Sequence, residues 1–218
     1  MNKYGYSRLA CCTVMAGLLS LSGCNVLSAL SYKTFGPPKI PAEYAPPQVP
    51  MLVLAESYHQ ANDLQPYADQ LTSLVHRDLK DHKVAPLVDE DKLIALRAAK
   101  GRAFQQLKIP EVGKAVGARQ VLYIDLQECN FAEIAASEVF QGSIRAKVRV
   151  VDVATGETKW PGVGDGKPFA AKTEFARRDA RDTPLAVRNL MLEDLAMAIS
   201  NQFHDIKPDS DAGKGEPD

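Results

Sequence analysis

The sequence predicts an α/β domain, a single mixed β-sheet with helices packed against it, in the order β-α-β-α-α-β-β-β-α. Three observations carry this. Short apolar runs of strand length alternate with longer stretches whose apolar residues recur every three or four positions. In the second half of the chain two runs alternate between apolar and polar residues, and a Thr-Gly turn joins the later one to a further strand. Of the 218 residues 45% are hydrophobic and 24% charged, proportions of a globular chain that exclude wholesale disorder, a collagen-like repeat and a multi-span membrane protein.

The elements follow in order. MLVLAES at 51–57 is an apolar run of strand length. From Leu64 to His82, the residues Leu64, Tyr67, Ala68, Leu71, Leu74, Val75 and Leu79 mark one face of an amphipathic helix. Val84 to Val88 reads as a second short strand, and Asp89 as the cap of a helix carrying Leu93, Ile94, Leu96 and Ala98. Pro110 fits the first turn of a short helix that ends near Gly117. QVLYIDLQECNF at 120–131 and GSIRAKVRVVDV at 142–153 are the next two strands, and Thr155-Gly156 turns the chain into a strand beginning at Thr158. Thr183 caps and Pro184 starts a final helix, whose Leu185, Leu192, Leu195, Ile199 and Phe203 fall near one stripe.

The domain spans 51–204 on this reading, and the remaining length lies at the ends. Residues 1–23 place Lys3 and Arg8 before an apolar run from Leu9 to Leu21, the order of an export signal. Its thirteen residues cover about 20 Å at about 1.5 Å each, short of the hydrocarbon core of about 30 Å. Leu21-Ser22-Gly23-Cys24 resembles the bacterial lipobox, which implies that Cys24 is diacylated and becomes the mature amino terminus. Residues 24–50 then form a tether in which Pro37, Pro38, Pro41, Pro46, Pro47 and Pro50 prevent helix or interior strand. Extended at about 3.1 Å per residue, it would reach up to about 80 Å from the bilayer, less if Tyr32, Phe35 or Tyr44 docks. Residues 205–218, with Ile206 as their one large aliphatic side chain, read as a disordered acidic tail.

Cleavage before Cys24 removes Lys3 and Arg8, leaving 24 of the 26 basic residues against all 27 acidic ones. A mildly acidic mature chain argues against nucleic acid as a partner. Cys11 and Cys12 leave with the signal and Cys24 carries lipid, so Cys129 is the remaining thiol and no intrachain disulfide is expected. Its apolar strand neighbours make it a packed side chain rather than a nucleophile.

Two local features resemble a known class of envelope domains. Val116-Gly117-Ala118-Arg119-Gln120-Val121-Leu122-Tyr123 is similar to the "helix, Gly-Ala, apolar strand" element of the family that contains the curli secretion channel CsgG, the amino-terminal domain of TolB and the peptidoglycan-synthase activator LpoB. Val150 to Glu157, followed by Trp160, resembles that family's "apolar strand, Asp, Thr-Gly-Glu, Trp" hairpin. The resemblance covers roughly 50–204 by element order and implies a fold more than an activity. A pair of long hairpins with an outward apolar band, as a membrane pore requires, is not found in the sequence.

Candidate chemistry is sparse. The segment 56–63 after the first strand lies where open α/β sheets place ligands, so His59 is a candidate binding residue. Ser57, His59 and Asp63 include the types of a hydrolytic triad, yet Ala55-Glu56-Ser57 lacks the glycines of a nucleophile elbow, and capping by Asn62 or Asp63 explains the polarity. No catalytic set, no metal and no cofactor is expected. His76 and His82, six apart on a helix, diverge by about 120°, and Asp78 with His82 reads as an exposed helix pair. Asp89-Glu90-Asp91 lacks the glycine of a calcium loop and suits a helix start. Gly162, Gly164 and Gly166 lie between Pro161 and Pro168 with no helix after them, which suits a hairpin loop rather than a phosphate cradle.

The fourth strand is the most informative surface. Alternation sets Ile144, Ala146, Val148 and Val150 toward the helices and Arg145, Lys147 and Arg149 away from them, with Asp125 of the third strand opposite. A solvated, partly paired face is one reading. A docking surface for another envelope protein or an anionic envelope polymer is the other, extended by Arg177, Arg178 and Arg181. The expectation is therefore a lipid-anchored extracytoplasmic binding or adaptor protein, not an enzyme, with Asn25 leaving inner or outer membrane open. Its alternatives are a secretion subunit that forms homo-oligomers and an envelope hydrolase using the His59 loop.

Overall fold

The computed structural model describes residues 39–57, 64–134, 139–176 and 183–206. Strand β1 (Met51–Glu56) leads to helix α1 (Gln65–Asp81), helix α2 (Glu90–Lys100), a 3-10 helix (Gly101–Gln106) and helix α3 (Ile109–Val116). Strands β2 (Gln120–Ile134), β3 (Val139–Asp152), β4 (Thr158–Trp160) and β5 (Lys167–Ala176) follow, and helix α4 (Pro184–Ser200) closes the fold. Caps fall where local chemistry puts them. Asp89 accepts from Asp91 N, Thr183 from Ala186 N, and Gly117 ends α3 at φ 82°, a left-handed position that disfavours a Cβ. Helix α1 starts at Gln65 with Leu64 as its cap position and no side-chain cap.

The sheet is mixed. β1 pairs parallel with β2, β2 antiparallel with β3, and β3 pairs with β4 over its last residues and with β5 over its first ten. Helices α1 and α4 lie on one face, where Val53, Leu122, Ile124, Ile144 and Val148 meet Leu71, Val75, Leu192 and Ile199, all essentially inaccessible to water. Burial of each such side chain stabilises by about 1.5–3 kcal/mol, which fixes the inward parity of three strands at once. On the other face α2, the 3-10 helix and α3 pack Leu93, Phe104, Val112 and Val116 over Leu52, Leu54, Val121 and Tyr123. That second layer covers β1 and β2 and meets β3 only toward its carboxyl end, beside Val153. Thr72 joins α1 to the edge strand, donating to Ala68 O and accepting from Ala55 N.

The α/β class holds, and four elements differ from expectation. Residues 84–88 make no strand. Pro86 has no N–H to donate, so pairing is limited to one parallel bridge at Leu87, in which Met51 N donates to Pro86 O and Val88 N to Met51 O. A strand not expected is β5, whose Lys, Pro and Ala carry little strand preference; pairing with β3 imposes it, with Phe169 and Ala171 on the core. The β2–β3 hairpin is longer than expected, and its Phe131 packs on the core side, beneath Arg188 of α4. A bulge between Leu126 and Glu128 then reverses the alternation, so that Cys129 turns inward opposite Ile144 and Glu128 lies opposite Arg145.

Contacts group Ala42–His204 as one compact unit. Residues 42–50 of the segment read as a tether belong to it. Tyr44 N donates to Gln202 O, the Tyr44 ring lies 6.3 Å from both Trp160 and Phe203, and Gln120 donates to Pro47 O and Val49 O. Outside that unit, Ile40 and Ile206 form an antiparallel bridge. No helix among the described residues is long and apolar enough to cross a membrane.

Candidate functional site

Where the second helix layer stops, a cleft of about 570 Å³ opens over the outer face of β2 and β3. Its floor is Tyr123, Asp125, Arg149 and Val151; one wall is the segment Gln105 to Pro110, and Gly156 and Thr158 form the rim. The wall is held open by backbone chemistry. Lys108 N donates to the Glu111 carboxylate at 2.8 Å, which caps α3 and leaves Leu107 to Pro110 bridging from the 3-10 helix. The rim is fixed by Asp152, whose Oδ1 accepts from Ala154 N and Thr155 N, both at 2.9 Å. Those bonds hold its carboxyl below the usual carboxylate range, and Gly156 at φ 75° completes the turn. The Asp and Thr-Gly of this hairpin thus serve the backbone, while its Trp160 is buried on the opposite face against Phe203.

Charge in the cleft is arranged unevenly. Arg149 sits opposite Tyr123 in the register with its guanidinium 5.3 Å from the ring centroid, and its Nε is buried with no hydrogen-bond acceptor among the described residues. The other two cations of the strand make direct ion pairs, whereas Arg149 acts on Asp165 only through space. Lys147 bonds Asp165 at 2.7 Å, which lowers the Asp165 pKa, and Arg145 pairs with Glu128. Glu128 is held low chiefly by the Ser143 hydroxyl at 2.9 Å and then by Arg145. Asp165 and Arg145 face solvent, which screens both pairs and leaves them little net energy.

Beside the cleft, at the carboxyl end of β1, Glu56 lies opposite Asp125 in the register. Burial raises its pKa to about 7 against the opposing pull of Arg97. Arg97 of α2 donates to Ala55 O at 3.3 Å, pairs with Asp69 of α1 and lies over the Phe104 ring. Three elements therefore converge on the strand end where open sheets place ligands. Glu56 fell in the candidate segment of the sequence. Arg97 and Asp69 had no signal there, since each occupies the polar side of its own helix.

Of the candidate residues, Arg145, Lys147 and Arg149 share one strand face, and Arg149 alone lines the cleft. His59 and the basic residues Arg177, Arg178 and Arg181 lie outside the described residues, as does Cys24. Cys129 is buried, and desolvation raises its thiol to about 11, well above the range of a reactive thiolate. Gly162, Gly164 and Gly166 belong to the turn between β4 and β5. One group of metal-ligating side chains converges among the described residues, Asp78, His82 and His204, away from the cleft.

The fold and site define a mixed-sheet α/β domain with one helix layer complete and the other open over a cationic cleft. Solved structures share features of this chain trace at low identity. The lipoprotein GNA1162 from Neisseria meningitidis is 14% identical, with a TM-score of 0.45 over 70% of this chain and 99% of its own. The hypothetical protein CT253 from Chlamydia trachomatis is 13% identical, at 0.43 over 72% and 97%. A PelC dodecamer from Paraburkholderia phytofirmans is 14% identical, at 0.42 over 75% and 93%. No family model and no curated protein matches the chain.

Proposed function

We propose that the chain is a lipid-anchored adaptor of a bacterial cell envelope, related to the CsgG, TolB amino-terminal and LpoB-like domains, which captures a segment of another envelope protein in the cleft beside β3. The observation that carries this reading is Arg149, a cation with a buried, unaccepted Nε on the floor of an open cleft with apolar walls at Leu107, Ile109 and Pro110. A guanidinium so placed suits a carboxylate or a backbone carbonyl, and the apolar wall suits the side chains beside it. Anchoring through Cys24 confines the search for that partner to one layer and raises its effective concentration.

Photoreactive residues at Gln106 and Thr158, introduced into the full chain in its native envelope, test the reading. Adducts with one other envelope protein that are lost on Arg149→Glu are expected. Adducts between copies of this chain would favour the secretion-subunit reading, and retained anionic polymer would move the partner out of the protein class. Cys24→Ala should leave the precursor unprocessed; normal acylation of that variant would overturn the anchor.

A further inference from the structure

We propose that Asp78, His82 and His204 form a binding site for one divalent transition-metal ion of the zinc type. Helix α1 sets Asp78 and His82 four positions apart, so both project from one face. The third group comes from far along the chain. His204, which follows α4, lays its ring against His82 with centroids 3.6 Å apart and planes 4° from parallel. Its Nε2 is 3.3 Å from Asp78 Oδ2, and His82 Nδ1 is 3.6 Å from Asp78 Oδ1. One ligand atom from each residue lies within 4.8 Å of the other two.

The donor set decides the class of ion. Two imidazoles and a carboxylate suit zinc, copper or nickel, whereas magnesium and calcium require oxygen ligands. Tetrahedral bonds of about 2.0–2.2 Å place neighbouring ligand atoms about 3.3–3.6 Å apart, so a pair at the outer limit of 4.8 Å has to close by up to about 1.5 Å. Parallel rings aim their lone pairs side by side, and a shared ion therefore tips one of them. His82, with 45% of its side chain accessible, is the ring free to turn; His204, at 10%, is held. In the metal-free protein His82 Nδ1 lies 2.9 Å from Asp78 O. On capture the Nδ1–metal bond replaces that hydrogen bond: Nδ1 gives up its proton to water, the neutral ring carries its single proton on Nε2 instead, and water fills the remaining coordination position. The ion then cross-links α1 to the segment that follows α4.

Chelator-stripped full-length protein in detergent, titrated separately with zinc and copper ions, tests the site. A saturable rise in Tm with one zinc ion per chain is expected, together with a copper EPR spectrum showing nitrogen coupling. His82→Ala and His204→Ala should each weaken binding by about ten- to a hundredfold. Asp78→Asn, which keeps the shape of the side chain, should also weaken it and guards against a folding defect at His204. The chain's other two histidines serve as controls, and His59→Ala and His76→Ala should leave affinity unchanged. No saturable Tm rise, or one that survives His82→Ala, would overturn the site and leave a stacked imidazole pair beside a carboxylate.

Discussion

On one face of the sheet, α1 and α4 cover the apolar rows of β1, β2 and β3; on the other, α2, the 3-10 helix and α3 cover β1 and β2 and meet β3 only toward its carboxyl end. Hydrogen bonding does not distinguish the faces, because the strands are the same. Side chains do. The covered rows end in Ile144, Ala146 and Val148, whereas the corresponding outer row of β3 is Arg145, Lys147 and Arg149. A helix laid over that row would have to strip water from three cations, a cost that exceeds what its own apolar stripe could return. The sheet thus acquires an open cleft as a consequence of charge on one strand.

Four substitutions break or sharpen this contrast, in decreasing order of effect. Leu192→Ala on α4 opens a cavity in the fully covered face and should lower stability by about 2–5 kcal/mol in denaturant unfolding. Gly113→Ala tests how tightly the partial layer sits. An added Cβ on α3 would lie 2.6 Å from Val153 Cγ2 and 2.8 Å from Val121 Cγ2. The overpacking costs about 1–3 kcal/mol against a helix-propensity gain of about 1 kcal/mol. A net stabilisation would mean that α3 is free to lift from the sheet.

Glu56→Gln comes third and is read through pH. The folded-state pKa of Glu56, about 7, exceeds its ordinary value, so the folded form binds the extra proton. Stability of the native protein should therefore fall as pH rises from about 4.5 to 7 and level off above that, while the Gln variant lacks this component. Tm measured at pH 5 and pH 8 for both proteins checks it, and identical pH slopes would show that Glu56 is solvated. The smallest effect is Arg145→Ala, within about 0.5 kcal/mol, because the Arg145 side chain is mostly exposed and the Glu128 carboxylate keeps its bonds from Ser143 and Asn130. A loss several times larger would place the outer row of β3 under cover after all.

Legibility in the sequence followed the range of the interactions. Gly117 at the end of α3, Asp89 and Thr183 as caps, and Thr155-Gly156 in its turn are local devices, each closed within a few residues, and each stands where the sequence put it. The alternation of β3 was legible because a strand has period two and one face must be dry. The apolar residues at 84–88 read as a strand, but Pro86 among them has no N–H for a ladder. β5 carried almost no signal of its own, and the bulge at Leu126 to Glu128 inverted a parity that simple alternation would have extended. The candidate site was less legible still, since Arg149, Lys108 and Thr158 come from three separate elements.

By itself the sequence determined the α/β class, the caps, the inward face of β3 and its cationic outer row, because periodicity and local hydrogen bonding depend on neighbours in the chain. Tertiary structure alone decided that β5 would be a strand, that residues 42–50 would pack on Trp160 and Phe203, and that His204 would meet Asp78 from 126 positions away. Those outcomes depend on which surfaces are brought together and on the water each contact displaces, and no window of the sequence contains both partners.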